Sequence, residues 1–225
     1  MATVREMKTL ALELSTARGG IAELGEDRQQ FFCEWPNDRK NSGAFFANLA
    51  DAQKQFGALD TIVVGLGPGS YAGVRIAISA AMGLQTGSNA RLIGFPSICA
   101  MKTSEDEYCV VGDARRQSFF FARVRANDLI EGPTLLSEIE LRDKIDKVED
   151  NMSIFVSEKL PQFKRAAIAY PSAIVLAGLA QDSHRNFASP PLEPIYLREP
   201  HITIPRGIGS SADEGSRAGS QCHYP

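Results

Sequence analysis

Between residues 61 and 75 the chain reads Thr-Ile-Val-Val-Gly-Leu-Gly-Pro-Gly-Ser-Tyr-Ala-Gly-Val-Arg, and few folds accommodate such a string. Thr61 to Leu66 is a continuous run rich in β-branched residues, the composition of a central buried strand. Val74 to Thr86 has the spacing of a helix. Gly67, Gly69 and Ala72, between the two, fit G-x-G-x-x-A at the strand-to-helix junction where a dinucleotide fingerprint belongs. The chemistry does not follow. Such a site uses an acidic group about 20 residues on to hold the ribose, and Thr61 through Ser104 contains no Asp or Glu. No Gly-Lys-Ser/Thr follows the loop, which excludes a Walker-type phosphate site. Ser70 is flanked as P-G-S-Y-A rather than G-x-S-x-G, and His184, His201 and His223 stand in no recognisable nucleophile-partner context, which argues against a serine hydrolase. A steric role explains Gly67, Gly69 and Gly73 better: residues without a bulky side chain let the backbone turn sharply and let a helix approach a neighbour. Ala77, Ala80, Ala81 and Gly83, with Gly87 beyond, extend that small-residue character along the helix. Two readings of this face stand side by side, packing against the chain's own sheet and packing against a partner helix.

The rest of the chain supplies the elements around this loop. Thr9 to Ser15, Ile21 to Leu24 and Gln30 to Trp35 read as an antiparallel meander. From Ser42 to Phe56 the apolar residues Phe45, Phe46, Leu49, Ala52 and Phe56 fall at helical spacing, with Gly57 as the expected C-cap. Two adjacent phenylalanines cannot share one helix face, so one enters the core and the other feeds an interface. Arg91 to Phe95, Tyr108 to Gly112 and Ser118 to Val124 read as strands, and Ile139 to Asp146, Ile154 to Val156 and Ser172 to Leu179 as short elements of a thinner second half. No internal sequence repeat is visible. We expect an N-terminal lobe over residues 1–105, a reduced lobe over 106–205, and a disordered Gly/Ser-rich tail over 206–225.

Composition narrows the function class. With 24 Lys+Arg against 27 Asp+Glu in 225 residues, the net charge of -3 offers no footprint for holding a nucleic-acid backbone unaided. No apolar run approaches the ~20 residues that span a bilayer, and the N-terminus lacks the succession of a secretory signal. A cytoplasmic protein is expected, with Cys33, Cys99, Cys109 and Cys222 reduced. Neither the cysteines nor the histidines have metal-ligand spacing, so no metal site is expected. Arg75 reads either as a helix-start arginine bonding loop carbonyls or as a contact to a partner or a phosphate. Asp113 and Arg115 read as a turn pair, or as a metal-nucleotide aspartate with its neighbour. Tyr71 is expected as a packing plug, and Tyr196 and Arg198 as second-lobe structure, with partner contact as the alternative.

The string GLGPGSYAGVRIAISAAMGL resembles the glycine-rich signature of the TsaB (YeaZ) family. The N-terminal LALELST, Gly94-Phe-Pro-Ser-Ile-Cys-Ala-Met, Asp113-Ala-Arg115 and Pro194-Ile-Tyr-Leu-Arg198 extend the resemblance over about residues 9 to 198. Two departures stand out: Glu13-Leu14-Ser15-Thr16 replaces the family's usual Asp-Thr-Ser-Thr, and Asn41-Ser42 stands where His-Ser is common.

The resemblance implies an α/β fold of the actin-like ATPase (ribonuclease-H-like) type, with two lobes and a reduced second lobe. It implies no catalytic residues, in a scaffold that activates a TsaD-like transferase for threonylcarbamoyladenosine modification of tRNA next to the anticodon. The metal-holding His-x-x-x-His helix of TsaD has no counterpart here. The implied partner interface is formed by the two first-lobe helices through Phe45, Phe46, Leu49, Arg75, Ile76, Ser79, Ala80 and Gly83. A homodimer in the partner's absence, a TsaE-like small ATPase, tRNA contact only through the complex, and ATP or ADP at the heteromeric interface but none bound alone complete the expectation. Two rivals remain: a stand-alone actin-like ATPase or peptidase, and a self-associating homodimeric module.

Overall fold

Every residue of Thr9–Glu13 (β1) and Thr61–Gly65 (β4) is buried, as continuous apolar runs demand when a strand is covered on both faces. The computed structural model describes residues 7–25, 29–37, 42–55 and 57–198. β1 and β4 pair in parallel at the centre of a five-stranded sheet, with Arg18–Leu24 (β2), Gln29–Pro36 (β3) and Arg91–Phe95 (β5) in the order β3-β2-β1-β4-β5. β1, β2 and β3 form the antiparallel meander, and β5 adds in parallel to β4.

The alternation of the strands sorts their side chains onto two cores. Leu10, Leu12, Ile21, Ile62, Val64 and Leu92 face one side, where helices Gly43–Gln53 (α1) and Tyr71–Ser88 (α2) cover them with Phe45, Leu49, Val74, Ala77, Ile78 and Ala81. Ala11, Ala22, Val63 and Ile93 face the other side. There the small residues admit helix Ala173–Leu179 (α4), and a Cβ on Gly20 would stand 3.2 Å from that of Ala173.

A second sheet holds Glu107–Asp113 (β6), Ser118–Arg125 (β7), Asp128–Ser137 (β8), Ser153–Val156 (β9) and Ala166–Ile168 (β10), in the order β10-β9-β6-β7-β8. Read from the β8 edge, this is the first sheet's order again: third, second, first, fourth, fifth. The parallel and antiparallel pairings repeat with it. Tyr108, Val110, Phe120, Ala122 and Val124 join the core shared with the first sheet, while Cys109, Val111, Phe119 and Phe121 pack outward against helix Glu138–Asp146 (α3). A helix joins β4 to β5, whereas β9 reaches β10 through turns alone. Two such units, the second reduced, make the actin-like, ribonuclease-H-like fold.

Several boundaries move for local reasons. α2 starts at Tyr71 instead of Val74, because Ser70 caps it: its Oγ accepts from the Gly73 amide at 3.2 Å. α1 ends at Gln53 with Lys54 as its C-cap, so Gly57 is not the cap, and Phe56 lies outside the described residues. β8 and β10, both edge strands, carry no apolar run that marks them; β8 is largely exposed. The tail over 206–225 and Cys222 lie outside the described residues.

Candidate functional site

The glycine loop is pressed onto the chain's own first hairpin. The Ser70 amide donates to the Ser15 carbonyl at 2.6 Å, and the Gly67 amide donates to Ser97 Oγ at 2.9 Å. A Cβ on Gly69 would overlap the Ser15 carbonyl oxygen, and one on Gly73 the Leu14 carbonyl oxygen. Gly67 also adopts φ +90, the left-handed region that favours glycine. These glycines therefore serve close backbone packing, and the space against the β1–β2 hairpin is filled by the loop itself.

Gly65 serves the same hairpin differently. A Cβ there would overlap the Glu13 carboxylate. Glu13 is buried to 1 % exposure, with Oε1 accepting from the Ser15 amide at 2.7 Å. Burial pushes its carboxyl above the ordinary glutamate value, and the hydrogen bond from Ser15 pulls the other way.

Where the corresponding ends of the two sheets meet, a cleft of about 430 Å³ opens. The first unit lines it with Ser15, Thr16 and the glycine loop, the second with Asp113–Arg115 at the β6–β7 hairpin and with Ser157 and Glu158 after β9. A strap, residues 194–198, crosses it and is tied down where the Ile195 amide donates to the Leu66 carbonyl at 2.8 Å. Asp113 is a turn residue: its carboxylate accepts from the Arg115 amide and from the Arg115 guanidinium, each at 2.6 Å. Its own amide donates to Glu158 Oε1 at 3.2 Å. Among the described residues no group of three or more His, Cys, Asp or Glu is placed to hold a metal.

On the far side of the strap lies the outward face of α2. Among the described residues Arg75 bonds no loop carbonyl; its guanidinium donates to Tyr196 Oη at 3.1 and 2.9 Å and lies 3.9 Å from the centre of the Tyr71 ring. Tyr71 is not a buried plug but 47 % exposed, with its ring 5.4 Å from that of Tyr196. Tyr196 thus belongs to α2 as much as to the second unit. Sequence reading missed this because the pairing spans 121 positions. Arg198 lines the cleft mouth.

The expected interface residues divide. Phe45 and Leu49 are buried beneath α1 at 1 and 6 % exposure, so these two are core residues that offer a partner no surface; Phe46 is half exposed. Arg75, Ser79 and Gly83 are exposed, and Ile76 and Ala80 are half-buried against the core. The small-residue face is really two faces. Ala77 and Ala81 lie against the sheet, while a Cβ on Gly83 or Gly87 would meet open space. Cys33, Cys99 and Cys109 are free, and burial pushes the Cys99 thiol to about 12 and that of Cys109 to about 11. No helix among the described residues is long and apolar enough to cross a membrane.

Comparison with known proteins bears on this arrangement. An uncharacterized protein of Mycobacterium leprae (strain TN), ML0378, is 36% identical over 95 residues, which cover 41% of this chain and 26% of that protein. The chain therefore matches about a quarter of that relative's length. A crystal structure of an uncharacterized protein with similarity to peptidase YEAZ from Pseudomonas aeruginosa superposes with a TM-score of 0.64 at 22% identity, covering 85% of this chain and 100% of that one. YeaZ from Pseudomonas aeruginosa superposes with a TM-score of 0.63 at 20% identity, over 84% and 100% of the two chains. At these identities the likeness concerns the fold. Residues 43–196, which run from α1 through the glycine loop to Tyr196, match the family model described as TsaD: tRNA N6-adenosine threonylcarbamoyltransferase, and the chain belongs to that family.

Proposed function

We propose that this chain is a non-catalytic subunit that binds and activates a TsaD-like transferase in the threonylcarbamoyladenosine modification of tRNA. The observation that carries this reading is the uncovered apolar surface of the first unit's helices. Phe46 on α1 and Tyr71 and Met82 on α2 are 50, 47 and 55 % exposed, and Gly83 and Gly87 leave open space beside them. Both helices pack on the same face of the first sheet. Exposed large apolar groups flanked by residues without side chains suit a close helix-to-helix contact. The glycine loop packed against the first hairpin supports placing the chemistry in the partner. In this reading ATP or ADP sits at the junction of the two chains, a TsaE-like ATPase joins the complex, and tRNA is met only through the assembly. Without its partner the same face pairs with a second copy.

Reconstitution tests it. Threonylcarbamoyladenosine formation is measured with the transferase alone, with this chain, and with Gly83→Arg, a position where a long side chain meets open space. Full activity with the wild-type chain and loss with folded Gly83→Arg are expected. Activity that ignores the chain, or rapid ATP hydrolysis by the chain alone, overturns the proposal. A homodimer that the transferase fails to displace would favour a self-associating module.

A further inference from the structure

Arg75 is the only charged side chain of α2, and α1 carries only Asp51, which pairs with Lys54 at 2.7 Å. How the Arg75 guanidinium is held is informative. Its Nε and one N–H of Nη2 donate to Tyr196 Oη. It lies over the Tyr71 ring at 3.9 Å, with the Tyr196 ring centre 5.8 Å away. The opposite edge, Nη1 and the second N–H of Nη2, points away from Tyr196 and has no acceptor among the described residues, nor does the group enter an ion pair among them. Anchoring fixes the plane of the fork before any partner arrives, so little freedom is lost on binding. Exposed, such a cation is served by water. Once a protein covers the helix face it needs a counter-ion, because an unpaired charge taken out of water is costly.

The groove beside it restricts what that counter-ion is. It measures about 400 Å³, runs between α2 and the strap, and is lined by Arg75, Ile78, Ser79, Leu192, Glu193 and Tyr196. A nucleic-acid backbone is held by several cations in a row, and this groove offers one, with Glu193 beside it. Two parallel N–H groups on one edge of a guanidinium match a carboxylate in bidentate fashion. A second copy of the two helices would bring only Asp51, already paired with Lys54. Resting on the reading that this face docks a TsaD-like transferase, we propose that Arg75 determines the specificity of the contact. It takes up an Asp or Glu side chain of the transferase in the groove between α2 and the strap, and so favours that partner over a second copy. Tyr196 is a positioning residue that acts through Arg75.

The full chain and its Arg75→Gln, Arg75→Glu, Tyr196→Phe and doubly substituted Arg75→Gln, Tyr196→Phe variants are titrated by calorimetry into the TsaD-like transferase of the same organism. Each titration is run at low and high NaCl, and again with Mg-ATP and with tRNA. Arg75→Gln is expected to weaken the heterodimer at least about tenfold and to flatten its salt dependence, and Arg75→Glu to lose at least about tenfold more, because like charges then meet. Tyr196→Phe keeps the ring and is expected to lose about threefold, the size of one modest hydrogen bond. On the Arg75→Gln background the same change is expected to cost nothing further, whereas a merely structural role would add its loss again. Self-association of the chain alone, read by light scattering, is expected not to weaken in Arg75→Gln. Arg75 is exposed, and circular dichroism establishes that the variants fold. A wild-type chain that does not bind the transferase overturns the docking reading itself, and this inference with it. Wild-type binding with unchanged affinity in Arg75→Gln, or equal losses in Arg75→Gln and Arg75→Glu, overturns the carboxylate contact alone. A loss seen only with Mg-ATP or tRNA present overturns it in favour of a phosphate, and a loss confined to self-association overturns it in favour of a second copy.

Discussion

The two five-stranded units share a strand order and, in their first hairpin, a carboxylate that accepts from the amide two residues on, Glu13 from Ser15 and Asp113 from Arg115, but they differ in what closes over that turn. In the first unit, backbone closes on backbone: the Ser70 amide bonds the Ser15 carbonyl, and Gly69 and Gly73 lie where any Cβ would overlap a hairpin carbonyl. In the second, side chains do the work, with Asp113 bonded to Arg115 and Glu158 reaching the Asp113 amide. Backbone closure demands glycine at fixed positions, whereas side-chain closure tolerates many sequences. The same topology therefore leaves a conspicuous signature in one half and a faint one in the other.

The largest expected effect breaks the first closure. Gly69→Val or Gly73→Val forces a side chain into a backbone oxygen that has no freedom to retreat, and a loss of about 3 kcal/mol or more is expected. Arg116→Ala, at the tip of the second hairpin, is exposed and is expected to change stability by no more than about 0.5 kcal/mol. Urea unfolding of the three variants measures the contrast. Equal losses in both hairpins would show that the loop's glycines are not needed for packing.

A comparable contrast exists between neighbours on α1. Phe45 is fully buried, 6.3 Å from the Trp35 ring, and Phe45→Ala is expected to cost about 3–5 kcal/mol. Phe46→Ala is expected to change stability by about 0.5 kcal/mol or less while weakening association of the helix face, read by light scattering.

That division was legible in part. Adjacency on a helix dictates that the two rings part, but not which one goes inward; the phase is set by Leu49 and Ala52, which share the buried side with Phe45. The central strands and α2 were legible because each carries a continuous or periodic apolar pattern. β8 was not, because an edge strand has one free side and needs little apolar surface: most of its residues are exposed, and Gly132-Pro133 in its middle imitates a turn. Nor was the strap, since Tyr196 meets Arg75 across the sequence by a contact that no local pattern encodes. The repeat of strand order likewise leaves no trace, because the two units satisfy it with different residues.

Acid titration offers a subtler contrast. Burial raises the carboxyls of Glu13 and Glu23, both in the first unit, above the ordinary value of 4.5. As pH rises from 4.5 toward their raised values, the unfolded chain releases these protons before the folded one does, so stability falls through that window. Glu107, in the second unit, is held below 4.5 by its hydrogen bonds with Arg125 and Arg123. Its contribution is present above 4.5 and is lost as pH falls through its lowered value. Glu13→Gln is expected to flatten the loss above 4.5, and Glu107→Gln the loss below it. Unfolding midpoints at intervals from pH ~3 to ~7 measure both, and a slope of the same sign from the two variants would contradict the assignment.

The smallest effect concerns the second hairpin's turn. Arg115, Arg116 and Gln117 have φ of 66, 53 and 58, three successive side-chain-bearing residues in the left-handed region, whereas no residue of the described β1–β2 turn does so. A glycine adopts that backbone without steric penalty. Arg116→Gly and Gln117→Gly are each expected to stabilise by at most about 1 kcal/mol, because relief of strain is partly offset by the greater freedom of glycine in the unfolded chain. Arg115→Gly relieves the same strain but removes the ion pair to Asp113, an exposed interaction worth about 0–1 kcal/mol. Its net change should therefore fall below that of the other two. If all three variants gain equally in thermal unfolding, the Arg115 guanidinium contributes nothing to closing the second hairpin, and side-chain closure there rests on Asp113 accepting from the residue-115 amide and on Glu158 accepting from the Asp113 amide.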